Sequence, residues 1–159
     1  NVTPVAPIDV WFAELAAGAP QALAIQRCLD AAGVKVTRRK EGHVVGETRS
    51  INVIRRAFDF YGSALLTTIL QCITETRDGN PGLIFGAVVH GIGRAIRTKP
   101  EALANPACLF DAFDSIDLPK IIAAAQVEFA RTKIPAQFII TREINLRLPF
   151  EAKRVRHAA

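Results

Sequence analysis

The side chains that most often carry chemistry are thinly spread in this sequence. His43, His90 and His157 stand alone, with no second histidine or carboxylate at the spacing a metal ligand set requires. His43 falls in a polar turn and reads as solvated. His90 falls in an apolar run and reads as a hydrogen-bonded core histidine. Cys28, Cys72 and Cys108 are far apart, each in an apolar run, and read as buried small hydrophobes rather than as a disulfide framework or a zinc site. Free thiols of this kind point to a reducing, cytoplasmic setting. Ser50 and Ser63 lack the glycine elbow of a nucleophile and suit helix caps. The string His90-Gly91-Ile92-Gly93 follows no predicted strand, so it fails the context of a phosphate loop and suits close helix packing. Asp111, Asp114 and Asp117 recur every three residues, but a two-metal site needs further ligands and a water-filled cleft. They read as an acidic face, with Asp117 as a cap. No catalytic residue, metal or cofactor is expected.

Charge is the stronger signal. The formal net charge is +5, and it is unevenly spread. Lys35, Arg38, Arg39, Lys40, Arg49, Arg55 and Arg56 crowd one stretch, and Arg142, Arg147, Lys153, Arg154 and Arg156 crowd another. Glu101, Asp111, Asp114 and Asp117 lie between them. Such groups bind phosphate backbones by releasing counterions, independent of base sequence. The candidate interface is Arg38, Arg39, Lys40, Arg55 and Arg56. The first three sit on a predicted hairpin arm, and the last two on the helix that returns from it. Arginine donates to phosphate through a planar fork, so double-stranded DNA bound with little sequence preference is the partner this patch fits. Phe58, Phe60 and Tyr61 are expected in the core rather than in a stacking platform. The competing reading of the same charges is an ordinary solvated face.

The elements that must position these residues are mainly helical. Half of the 159 residues are hydrophobic and 7% are aromatic, which favours helix over sheet and is enough for one core. The expected fold is mainly α, a single-domain bundle of about seven helices with one small β-hairpin, over residues 1–149. Residues 150–159 read as a basic C-terminal tail. Pro4 and Pro7 keep the start extended and Asp9 caps a first helix. Gly18 ends it, Pro20 opens a second helix, and Gly33 ends that one. Val34 and Val36 alternate with polar residues, Lys40-Glu41-Gly42 makes a turn and Val44-Val45 follow, a hairpin pattern. Ser50 caps a third helix that Gly62 interrupts, and Ser63 starts a fourth. Asp78-Gly79-Asn80-Pro81-Gly82 is a turn. Leu83 to Arg97 form a central fifth helix whose glycines allow close approach. Pro100 and Pro106 bracket a short acidic segment, Asp117 and Pro119 open a further helix, and Ile134 to Leu148 form the last. The longest apolar run, Pro81 to Ile96, is interrupted by His90 and Arg94, so no membrane partner is expected.

Methionine is absent even at position 1, and Asn1-Val2-Thr3-Pro4 has no signal-peptide pattern. A shortened or processed chain is expected. Three segments stand out: Asn1-Val2-Thr3-Pro4 through Trp11-Phe12 with Ala17-Gly18-Ala19-Pro20-Gln21-Ala22; Ala32-Gly33-Val34 through Gly46 to Ile54, Ala57, Tyr61 and Gly62; and Asn145-Leu146-Arg147-Leu148-Pro149. Together they resemble the C-terminal region of ParB-like proteins of phages, plasmids and integrated elements. In that family such a segment follows a ParB/sulfiredoxin-like domain with an Asp-Gly-Gln-His-Arg type motif. That motif is missing here, so the resemblance carries over no catalytic residue. It implies a helical accessory domain, with DNA, an upstream ParB-like domain of the same protein or a second copy of the chain as partners. Two function classes stay open: nucleic-acid association, and a protein-interaction or dimerisation module. An enzyme with a site spread across helices is a third.

Overall fold

The structure, a computed structural model, describes residues 3–39 and 44–150. Within them are eight α-helices and one two-stranded sheet. Proline sets several boundaries, because its fixed φ suits the first helical turn and its missing N–H costs nothing there. Pro7 opens α1 (Pro7–Ala16) and Pro20 opens α2 (Pro20–Ala31). Asp9 does not cap α1 as expected. Pro7 starts the helix earlier, and Asp9 sits in the first turn, where a carboxylate meets the positive end of the helix.

The predicted hairpin is corrected by the strand pairing. β1 (Lys35–Val36) and β2 (Glu47–Thr48) run parallel, with Lys35 opposite Glu47 and Val36 opposite Thr48. Gly33 and Gly46 both adopt positive φ just before their strands. A Cβ on Gly46 would lie 2.5 Å from the Gly33 carbonyl oxygen, so only glycine fits there. Val34 and Val36 face the core as their alternation predicts, whereas Val44 and Val45 stay outside the sheet and are exposed.

α3 (Ile51–Thr74) is broken at Gly62, whose φ of 81° and ψ of 173° lie outside the helical region, so the expected interruption is present. Ser50 stands at the N-cap, but its hydroxyl caps nothing; its backbone N–H instead donates to Thr48 Oγ1 at 3.0 Å. After α3, Arg77, Asp78, Gly79 and Asn80 all have positive φ. The buried Asn80 side chain fastens this left-handed turn by donating to the carbonyls of Ile73 (2.8 Å) and Thr76 (3.0 Å).

α4 (Gly86–Arg97) is three residues shorter than the predicted span from Leu83, and it is central. It packs most extensively against α8 (Ala136–Asn145) and then α3. Gly91 lets Ile140 approach and Gly93 lets Tyr61 approach. The acidic segment forms two short helices, α5 (Pro100–Ala104) and α6 (Pro106–Asp114), each opened by its proline. Asp117 caps α7 (Leu118–Thr132) by accepting from the Lys120 N–H at 3.1 Å. On α7, Leu118, Ile121 and Ala125 are buried, whereas Val127 and Phe129 are exposed. Among the described residues no helix is long and apolar enough to cross a membrane. Residues 151–159 of the predicted tail lie outside the described part.

Candidate nucleic-acid interface

α1 and α4 divide the predicted basic patch between them. Arg38 follows β1 and turns back onto α1, where its Nη2 donates to Asp9 Oδ1 at 2.9 Å and its guanidinium lies 4.3 Å from the centre of the Phe12 ring. Arg55, on the face of α3 that meets α1, is ion-paired with Glu14 and stands over the Trp11 ring. Both charges are therefore offset by carboxylates of α1. Arg39 is exposed, its backbone N–H donating to Thr37 Oγ1 at 3.2 Å. Lys40 and His43 lie outside the described residues. Successive helical residues point about 100° apart, so Arg56 leaves the α1 side and comes close enough to His90 on α4 for its charge to act on the imidazole.

There it joins residues outside the predicted patch. His90, Arg94 and Arg97 recur at i, i+4 and i+7 along α4, and Arg56 and Phe60 at i and i+4 along α3, so each set shares one helix face. Tyr61 ties the two helices together. Its hydroxyl lies 3.4 Å from both His90 Nδ1 and the His90 carbonyl oxygen. Its ring packs edge-on to Phe60, with centroids 4.8 Å apart and planes at 88°. The Arg97 guanidinium stands 4.6 Å from the Phe60 centroid, and that of Arg94 stands 4.6 Å from the Phe138 centroid. Phe60 is 54% exposed, which corrects its assignment to the core; Phe58 and Tyr61 are partly buried against the core.

The electrostatics of this surface follow from its composition. Burial, and then the charges of Arg94 and Arg56, hold the His90 imidazole below its ordinary 6.5, so it is neutral at neutral pH. Burial raises the Tyr61 phenol, and Arg94 and Arg97 pull against that rise. Among the described residues Arg56, Arg94 and Arg97 form no ion pair, whereas Arg38, Arg55, Arg77, Arg142 and Arg147 each do. Arg97 over the exposed Phe60 ring, Arg94 over Phe138 and the exposed Arg56 can each donate to phosphate oxygens.

The other candidate chemistry is taken up by structure. Asp117 caps α7 and Asp114 accepts from the Arg77 backbone N–H at 3.2 Å. Cys28 and Cys72 are buried, and burial pushes the Cys72 thiol up. Among the described residues no three His, Cys, Asp or Glu side chains stand together as metal ligands. Comparison with protein-family models, curated proteins and solved structures finds no match for the chain.

Proposed function

We propose that the chain is a non-catalytic helical accessory domain of a ParB-like protein that associates with nucleic acid through a basic surface, with little sequence preference. The observation that carries this reading is the trio Arg56, Arg94 and Arg97, gathered around Phe60, Tyr61 and His90 without a carboxylate partner among the described residues. Of the patch expected from the sequence, Arg56 belongs to this trio, Arg39 is exposed, and Arg38 and Arg55 are ion-paired with Asp9 and Glu14 of α1. Low sequence preference follows from residue type. Arginine forks read backbone charge and aromatic rings read base planes, and neither reads base edges in a groove from this arrangement.

Affinity measured at several salt concentrations tests the proposal. Three phosphate contacts predict a log–log slope of roughly −2 to −3. A flat slope, or no binding at low salt, overturns it.

A second reading has its own support. Val127 (73% exposed) and Leu146 (75%) lie on or just beyond α7 and α8, together with the less exposed Phe129, Ile134 and Phe138. Exposed apolar side chains of this kind suit a protein-interaction or dimerisation module. Concentration-dependent sedimentation, abolished in Val127→Ser with Leu146→Ser, would favour it.

A further inference from the structure

We infer that the nucleic acid this surface takes is single-stranded, with a base stacked on the Phe60–Arg97 pair; the inference rests on the nucleic-acid reading proposed above. A single exposed phenylalanine is ordinary on a protein surface. Phe60 differs in how it is held. Arg97 stands over its ring at 4.6 Å and Tyr61 braces it edge-on at 4.8 Å. Tyr61 is itself seated against Gly93, where a Cβ would come within 2.6 Å of Tyr61 Cζ, and its hydroxyl is anchored at His90. The exposed ring therefore projects from a fixed support, and little side-chain freedom is left to lose when a partner binds.

The neighbours of the ring decide what that partner is. An apolar protein partner would meet the Arg97 guanidinium over Phe60 and Arg56 one helical turn away on α3, neither ion-paired among the described residues, and would have to desolvate them. A duplex satisfies the arginines through its phosphates but hides its base faces in the stack, so it leaves Phe60 unused. A single strand uses both features. Its phosphates meet Arg56 and Arg97, and an unstacked base lays its face on the exposed aromatic and its guanidinium, as in sequence-tolerant binding of single strands. The spacing agrees with this division of labour: Arg56 lies one helical turn before Phe60 on α3, and Arg97 reaches the same ring from α4.

The test uses three labelled probes of equal length: oligothymidylate, an abasic oligomer with the same backbone, and a duplex. The wild-type chain is expected to prefer oligothymidylate to both others. Phe60→Leu removes no charge, so it should lower oligothymidylate affinity roughly 5- to 150-fold, the range for loss of one base–aromatic stack, and leave the salt slope unchanged. Phe60→Trp should keep the affinity, and its new exposed indole should be quenched by oligothymidylate and not by the abasic oligomer. Phe60→Leu binding oligothymidylate as tightly as wild type, in a chain whose helical spectrum is intact, overturns the inference. So does a wild-type preference for duplex, in which case salt-dependent nucleic-acid binding still stands. If no probe binds with a salt slope, the nucleic-acid reading itself fails and the inference goes with it.

Discussion

Gly93 and Tyr61 are fitted to each other: a Cβ placed on Gly93 would lie 2.6 Å from Tyr61 Cζ, 2.8 Å from its Cε2 and 2.9 Å from Ile69 Cδ1. The absence of a side chain on α4 is what lets the tyrosine bridge α3 and α4. Gly93→Ala should therefore destabilise the fold despite alanine's better helix propensity. Overpacking costs about 1–3 kcal/mol against a propensity gain of up to about 1 kcal/mol. Gly91→Ala should cost more. Its Cβ would meet Ile140 Cγ2 at 2.6 Å, Ile140 Cβ at 3.0 Å and the Gln137 carbonyl oxygen at 3.3 Å, and a β-branched side chain on a helix yields less than a tyrosine ring. Urea denaturation of both variants checks the order.

Asn80 does two jobs that two substitutions separate. It holds a left-handed backbone conformation (φ 43°, ψ 63°), and its buried amide donates to the carbonyls of Ile73 and Thr76. Asn80→Ala loses both and should cost about 2–4 kcal/mol. Asn80→Gly keeps the backbone accessible and loses only the amide bonds, so it should recover about 1–2 kcal/mol of that loss. Equal midpoints for the two variants would show that backbone conformation contributes nothing to the penalty.

Lys99 is 4% exposed, and its ammonium donates only to Asn145 Oδ1, at 2.6 Å, among the described residues. Burial pushes its pKa below the ordinary 10.5. The folded state therefore releases this proton before the unfolded state does. Between the lowered value and 10.5 the unfolded chain binds more protons, so this group should make stability rise with pH across that window. Lys99→Met should abolish the rise. The comparison belongs below pH 10.0, where Tyr61, whose phenol is raised above that value, stays protonated. A parallel pH dependence in wild type and variant would contradict the assignment.

Local signals predict local structure well here. Pro20, Asp117, Pro119 and Gly62 mark boundaries through their own backbone chemistry, and Gly91 and Gly93 mark close packing because only glycine allows it. Pro7, Pro100 and Pro106 are ambiguous for a physical reason: a proline at the first helical position has the same local sequence as one that keeps a chain extended. The parallel pairing of β1 and β2 depends on the path between them, which alternation of Val34 and Val36 does not encode. The interface is less legible than the fold. Asp9 is 29 residues from Arg38 and Glu14 is 41 from Arg55, so nothing nearby in sequence announces that these arginines are paired. Phe60 and Tyr61 are adjacent, and only the helical phase turns one outward and the other toward α4. The i, i+4, i+7 spacing of His90, Arg94 and Arg97 is the available signal, muted by the apolar residues around it.

The central claim is that Arg56 and Arg97, rather than the arm after β1, carry polyanion binding. The direct measurement is the slope of log affinity against log salt for three proteins: wild type, Arg56→Ala with Arg97→Ala, and Arg38→Ala with Arg39→Ala and Lys40→Ala. Removing one arginine from a bound phosphate reduces the slope by roughly 0.7–0.9. The Arg56/Arg97 variant should therefore bind with a slope shallower by about 1.4–1.8 units and with most of its low-salt affinity gone, because both charges face solvent without a carboxylate. The triple variant should change less than its three charges would give, because Arg38 already shares Asp9. A full wild-type slope in the Arg56/Arg97 variant, with its helical spectrum intact, would contradict the account.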